Sequence, residues 1–333
     1  MGMGEEKQVK KLDQYKQERR QMALFEILPR NEKYSNTIEL YDAIPKYFWG
    51  KPDRKDNQYL DPLMRFFEFR GQKYKVIISP AKIETKDGMY RDCYPAIREE
   101  IVEDGLRKLA CDGHGLFLDD EAAVVFSLYQ LQMELSRMGH TYSKDQIKEA
   151  LLVCAKTNIE IKSEDGSIVM ISNIFSTLGL HTQENSKEPK NRSRAFVRFN
   201  PLVTQCIKDK TFRQLNYEQC MTYRNSIARW LHKRMSHVYL QASYTHPYTI
   251  MLSTIIRDSG MKAYAQLRDN LRKVEEAIEE MQDRQVVMMY ETKKVLENGK
   301  RAILDAKFIL TPGNGFINDM KKANAKMKNI KSM

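Results

Sequence analysis

Apolar positions recur at helical spacing in some stretches and alternate in others, and one order of elements comes out twice. Glu121 to Met138 carries Val124, Val125, Leu128, Leu131 and Leu135 as a wide apolar stripe and closes at Gly139, which predicts a helix. Ser143, with Gln146 three places on, has the form of a capping box. It opens a second predicted helix, to Thr157, that buries Ile147, Leu151 and Cys154. Two strand-like runs, "NIEIK" and "SIVMISNIF", then flank Asp165-Gly166, a dipeptide suited to a tight hairpin. A polar excursion, "HTQENSKEPKNRSR", leads to "AFVRFN", which alternates as a strand. The second copy begins with a predicted helix over Cys220 to His237, burying Tyr223, Ile227, Trp230, Leu231 and Met235. A short helix follows over Thr249 to Arg257, and Ser259-Gly260 stops it. A long one is predicted over Lys262 to Met281, where Leu267, Leu271, Val274, Ile278 and Met281 form one buried stripe. "VVMMYETKKVL" and "RAILDAKFIL" then enclose Asn298-Gly299, a strong short-range hairpin signal.

Ahead of both copies, "FFEFR" and "QKYKVIISP" read as a strand pair turning at Gly71. Tyr94 to Ala110 has a helical period at Ile97, Ile101, Leu106 and Leu109. The first 56 residues are polar and broken by Pro29, Pro45 and Pro52, and "KPDRKDN" at their end reads as a linker. The fold class implied is α+β, with two tandem winged-helix domains, each a helical trio closed by a β-hairpin, after a flexible N-terminal tail. The expected divisions are a tail over 1–56, a first domain over 57–215, a second over 216–318 and a basic tail over 319–333.

Charge narrows the function. The chain of 333 residues has a formal net charge of +11, which attracts polyanions, and nucleic acid is the commonest such partner. No apolar run approaches the roughly 18 residues needed to cross a bilayer, and the N-terminus lacks an apolar signal core, so the cytoplasm is expected and no membrane partner. The cysteines, Cys93, Cys111, Cys154, Cys206 and Cys220, form no CxxC, which argues against a disulfide framework or zinc site. The histidines show no metal-ligand spacing, and no nucleophile with base and orienter can be drawn. No catalysis, metal or cofactor is expected.

Opposite the stripe of the predicted Lys262–Met281 helix lie Gln266, Arg268, Asn270, Arg272 and Lys273, with Tyr264 near its start. That is a major-groove inventory: Arg for guanine edges, Asn or Gln for adenine, Lys for phosphates. Glu275, Glu276, Glu279 and Glu280 would be repelled by phosphate, which confines the expected contact to the first half of the helix. Lys293, Lys294, Lys300 and Arg301 on the hairpin suit phosphate contacts. In the first copy the candidates are Lys144, Lys148 and Lys156, with Asp145 and Glu149 interleaved, and Lys187, Lys190, Arg192 and Arg194 in the loop. Lys321, Lys322, Lys326, Lys328 and Lys331 read as an unfolded polyanion contact.

"FNPLVTQCIKD" (199–209), "SIARWLHKRMSHVY" (226–239) and "YTIMLSTIIRDSG" (248–260), followed by the basic helix from Lys262, resemble plasmid replication initiator proteins of the tandem winged-helix type. The resemblance spans residues 94–315 and implies binding of direct repeats (iterons) in double-stranded origin DNA, opening of the adjacent duplex and recruitment of host replication proteins. It implies the replicative helicase and the host initiator as partners, base contacts from the second winged helix, and a homodimer through the first. Carried across are Arg268 and Arg272 as base or phosphate contacts and Lys300 and Arg301 as wing contacts. In such a protein "QMALF", Gln21 to Phe25, looks like the pentapeptide that binds the bacterial sliding clamp. Leu24 and Phe25 would fill an apolar pocket, Met22 its edge, and Gln21 would hydrogen-bond at the rim. The rival for this stretch is an amphipathic helix over Leu12 to Leu28 folded onto the domains. The rivals for the whole are a winged-helix regulator at an operator and, further off, a DNA-processing enzyme.

Overall fold

The computed structural model describes residues 33–52, 54, 59–180, 194–296 and 303–332. The chain enters through β1 (Tyr34–Ile38) and the short α1 (Glu39–Ala43), whose Tyr41 is fully buried. This corrects the expected tail: residues 33–52 belong to the folded body. β2 (Leu63–Phe69) and β3 (Gln72–Ser79) form the expected hairpin, turning through Arg70 and Gly71, both at positive φ. A small hairpin, β4 (Ala81–Glu84) with β5 (Tyr90–Cys93), precedes α2 (Ile97–Leu109). β6 (Gly115–Leu118) and β7 (Glu121–Ser127) pair across Asp119-Asp120, again two residues at positive φ.

β7 corrects the helix expected from Glu121. Val124, Val125 and Phe126 favour the pleated sheet, and Ser127 starts the helix afresh. The Ser127 hydroxyl accepts from the Gln130 amide at 3.1 Å while Gln130 Oε1 accepts from Ser127 N at 2.8 Å, so α3 spans only Leu128–Arg137. α4 (Lys144–Lys156) opens on the expected Ser143–Gln146 capping box. β8 (Asn158–Ser163) and β9 (Val169–Asn173) turn at Asp165-Gly166, but they extend the first hairpin into a sheet of order β2-β3-β8-β9. The hairpin that closes the helices is the next one, β10 (Phe175–Leu180) with β11 (Arg194–Phe199), and β11 pairs with β7. α5 (Pro201–Lys208) is capped by Asn200, and β12 (Phe212–Asn216) pairs with β1.

The predicted Cys220–His237 helix is two: α6 (Tyr217–Thr222) and α7 (Ser226–Val238). The break at Tyr223–Asn225 is held by Glu280, whose carboxylate accepts from the amides of Arg224 and Asn225 at 2.8 and 2.9 Å. β13 (Tyr248–Met251), α8 (Leu252–Ser259), α9 (Leu267–Asp283), β14 (Val287–Leu296) and β15 (Ile303–Pro312) follow, with order β13-β15-β14. Helix, strand, two helices and hairpin therefore recur with equal pairing: β15 lies between β13 and β14 as β11 lies between β7 and β10. The basic tail is corrected too. It is α10 (Asn314–Ser332), seated by Phe316, Ile317, Met320 and Ala323.

Each unit has its own apolar core, Trp49 packs against both, and ion pairs join the two. Lys233 of α7 reaches Asp104 and Glu100 of α2 at 2.6 and 3.1 Å; within the first unit Arg107 of α2 holds Asp42 of α1 at 2.6 Å. Burial lowers the proton affinity of Lys233, but Asp104 and Glu100 outweigh it and hold the pKa raised, so the ammonium stays charged. Arg65 donates to the carbonyls of Tyr47 and Gly260 at 2.6 and 3.0 Å; Gly260 supplies the left-handed turn (φ 82°) that ends α8. Asp319 of α10 accepts from Tyr34 and Asn216.

Candidate nucleic-acid interface

α9 is seated by Val274, Ala277, Ile278 and Met281, all fully buried, against α7, α8 and the base of the β14–β15 hairpin. The helix starts at Leu267, five residues later than predicted, because residues 262–266 form an irregular lead. Asn270 holds that lead. Its amide oxygen accepts from Tyr264 N at 2.8 Å, and its nitrogen donates to the carbonyls of Tyr264 and Gln266 at 2.8 and 3.2 Å. At 4% exposure and with both ends engaged, Asn270 cannot meet a base, which corrects its place among the predicted contacts. It fixes Tyr264 instead, a residue that is 49% exposed.

The outward face keeps the other predicted residues together. Gln266 and Arg268 are exposed. Gln266 sits at the N-cap without capping through its side chain, so the first turn keeps amide groups for an anion. Arg272 is 66% exposed and only loosely held, 3.7 Å from Asp269 and 3.9 Å from Glu276. Lys273 pairs with Glu276 at 2.7 Å. The other acids have structural tasks: Glu275 accepts from Thr292 at 3.1 Å, tying α9 to β14, and Glu280 caps the break before α7.

The hairpin adds Lys293 and Lys294, both exposed. Lys307, absent from the sequence reading, is exposed and directly opposite Lys293 in the register. Like charges directly across a strand pair cost stability. The alternation of "AKFIL" with Lys307 on the outward phase was the signal for it. Lys300 and Arg301 lie outside the described residues, as do Lys187, Lys190, Arg192 and the Gln21, Met22, Leu24 and Phe25 motif.

In the first unit, Lys144 is exposed and Lys148 half-buried on α4, with Arg194 exposed at the start of β11. Glu149 on that helix binds Arg91 at 2.9 Å and Arg98 at 3.1 Å. The β4–β5 hairpin packs on α4, with Ala81 and Ile83 against Val153. His232 is structural: its Nδ1 lies 3.1 Å from the Tyr223 hydroxyl, and burial pushes its pKa down to about 3. Among the described residues no group of His, Cys, Asp and Glu is placed to hold a metal, and no helix is long and apolar enough to cross a membrane.

No family model matches the chain, and no curated protein matches it. Among solved structures, it is similar over 82% of its length to a crystal structure of domains 2 and 3 of RctB, at 10% identity, 96% of that chain and a TM-score of 0.49. A second crystal structure of RctB domains 2–3 aligns over 85% of this chain and 99% of its own, at 11% identity and a TM-score of 0.47. The Pi initiator protein in complex with iteron DNA aligns over 71% of this chain and 98% of its own, at 10% identity and a TM-score of 0.42. These are likenesses of outline and supply no residue correspondence.

Proposed function

We propose that the protein is a replication initiator that binds direct repeats in double-stranded origin DNA through two tandem winged helices. The observation that carries this reading is α9: an apolar side fully buried in its own unit, and an outward side presenting Gln266, Arg268 and Arg272 beside an open helix N-terminus. Set in a major groove, the guanidiniums of Arg268 and Arg272 donate to guanine edges and Gln266 to adenine. Lys273, Lys293, Lys294 and Lys307 neutralise phosphates and fix the register. Tyr264, held by Asn270, meets the backbone at the N-terminal end of α9. In the first unit Arg194 touches the backbone, Lys144 and Lys148 stand on the covered helix and contribute little, and Lys300, Arg301, Lys190 and Arg192 supply further phosphate contacts. Opening of the duplex and recruitment of helicase and host initiator complete the function, and Gln21, Met22, Leu24 and Phe25 engage the sliding clamp.

The test is selection of bound duplexes from a random library by the full chain. Recovery of one short motif, present as an array of direct repeats beside the gene, is the expected result. Recovery of a lone palindrome would make the protein an operator-binding regulator, and no enrichment at all would end the reading.

A further inference from the structure

The lead into α9 begins where the first unit grips the second, and Arg65 of β2 makes the grip. One guanidinium nitrogen donates to the carbonyls of Pro45 and Tyr47 at 2.5 and 2.6 Å, and the other to the Gly260 carbonyl at 3.0 Å. The planar fork thus joins main chain from both units, which a point-like ammonium does poorly. Burial pushes its pKa down to about 10, so it stays charged at neutral pH.

Gly260 fits the contact from the other side. A Cβ there would stand 2.5 Å from the guanidinium nitrogen that serves Pro45 and Tyr47, and 3.2 Å from the Tyr47 carbonyl oxygen. The backbone comes closer to the first unit than a side chain would permit. The end of α8 is tied to β2 twice more: Arg257 meets Glu68 at 3.1 Å, and the Glu68 amide donates to Asp258 at 3.2 Å. Met261 then forms a parallel bridge with Trp49.

Beyond Met261 the lead borders a cavity of about 590 Å³, which Trp49, Gly50 and Lys51 also line. On that side it faces open space and not a packed wall. Gly260 and Met261 hold its near end. Asn270 holds its far end, through 2.8 Å hydrogen bonds to the amide and carbonyl of Tyr264.

We propose that Arg65 is a positioning residue for duplex reading: from the first unit it sets the lead, the lead sets Tyr264, and Tyr264 sets the register at which Arg268 and Arg272 meet base edges. A backbone contact carries no sequence of its own, but it fixes where the base contacts fall. Arg65 turns its guanidinium to main-chain carbonyls and touches no DNA. Discrimination by the second unit therefore depends on its seating against the first, even with every DNA-facing side chain intact. This role rests on the duplex-binding function and deepens it.

The test compares the affinity of the full chain for the duplex recovered by selection with that for an unrelated duplex, over a range of salt. Arg65→Lys keeps the charge and loses the fork; Asn270→Ala frees the far end of the lead. The ratio of the two affinities should fall about threefold to tenfold in the first and about tenfold in the second. The salt slope should not move, because no cation leaves the phosphates. A role in stability alone would weaken both duplexes alike and leave the ratio untouched. Denaturant unfolding shows whether each variant is folded, and Arg65→Gln serves if Arg65→Lys is not. In a Tyr264→Ala background neither substitution should lower the ratio by more than about twofold further, since both act through that residue. A ratio unchanged in the folded variants, or a full further loss without Tyr264, would overturn the proposal and leave duplex reading standing. A parent chain with no preference between the duplexes would overturn that function and this role together.

Discussion

α4 and α9 occupy the same place in the two units, third helix before the closing hairpin, and present opposite surroundings to solvent. Both are seated alike: Ile147, Ala150 and Leu151 disappear into one core as Val274, Ala277 and Ile278 do into the other. Outside, α4 is flanked by the β4–β5 hairpin, its Glu149 bound by two arginines and Lys156 donating to the Lys82 carbonyl at 3.2 Å. α9 carries Arg268 and Arg272 exposed, and its later acids are drawn into holding β14 and the break before α7. Position in the fold therefore does not decide which helix can enter a groove. What is laid over its outer face does.

The largest expected effect tests the shared half of that comparison. Ile278→Ala and Leu151→Ala each remove a fully buried side chain, and each should cost about 2–5 kcal/mol in denaturant unfolding. A Leu151→Ala chain as stable as the parent would mean that the two helices are not equivalently seated. The next effect tests the half that differs. Arg268→Ala and Arg272→Ala should each weaken specific duplex binding by about 1–3 kcal/mol, whereas Lys144→Ala and Lys148→Ala should stay within about 0.5 kcal/mol of the parent. Equal losses at both helices would erase the distinction drawn from the covering hairpin. An equal loss on unrelated duplexes would reduce the two arginines to phosphate contacts.

The sequence told the two helices apart only partly, and the reason is physical. The apolar stripe of α9 and the capping box of α4 depend on neighbours within a few residues, and both stand where the pattern put them. The β4–β5 cover depends on contacts roughly 60 residues apart, such as Arg91 with Glu149, which no local period records. The same limit hid β1, paired with β12 from the far side of the first unit. β7 failed for another cause: a run such as "AAVVF" suits a buried helix or a buried strand, and only its pairing with β6 and β11 decides. In α10 the stripe Phe316, Met320 and Ala323 was present, but the lysines around it dominated the composition. Asn270 was assigned to bases because it is polar, and its burial follows from a lead that folds back upon it.

The smallest effect sharpens the comparison at the hairpins. Lys293 and Lys307 face each other across β14 and β15, and their mutual repulsion is relieved by any anion brought between or beside them. If they meet phosphates, each neutralises one, releases condensed counterions, and contributes about 0.9 to the slope of log affinity against log salt. Lys293→Ala and Lys307→Ala should each flatten that slope by about 1 while leaving the ranking of duplexes unchanged. At moderate salt the loss of affinity itself should be modest. The corresponding β10–β11 hairpin offers Arg194 at its edge, and Arg194→Ala measured alongside shows whether the first unit meets the backbone at all. A slope unmoved by Arg194→Ala but flattened by both lysine substitutions would place the charge contacts on the second hairpin. A slope moved by none of the three would remove the β14–β15 hairpin from the interface and leave α9 to bind alone.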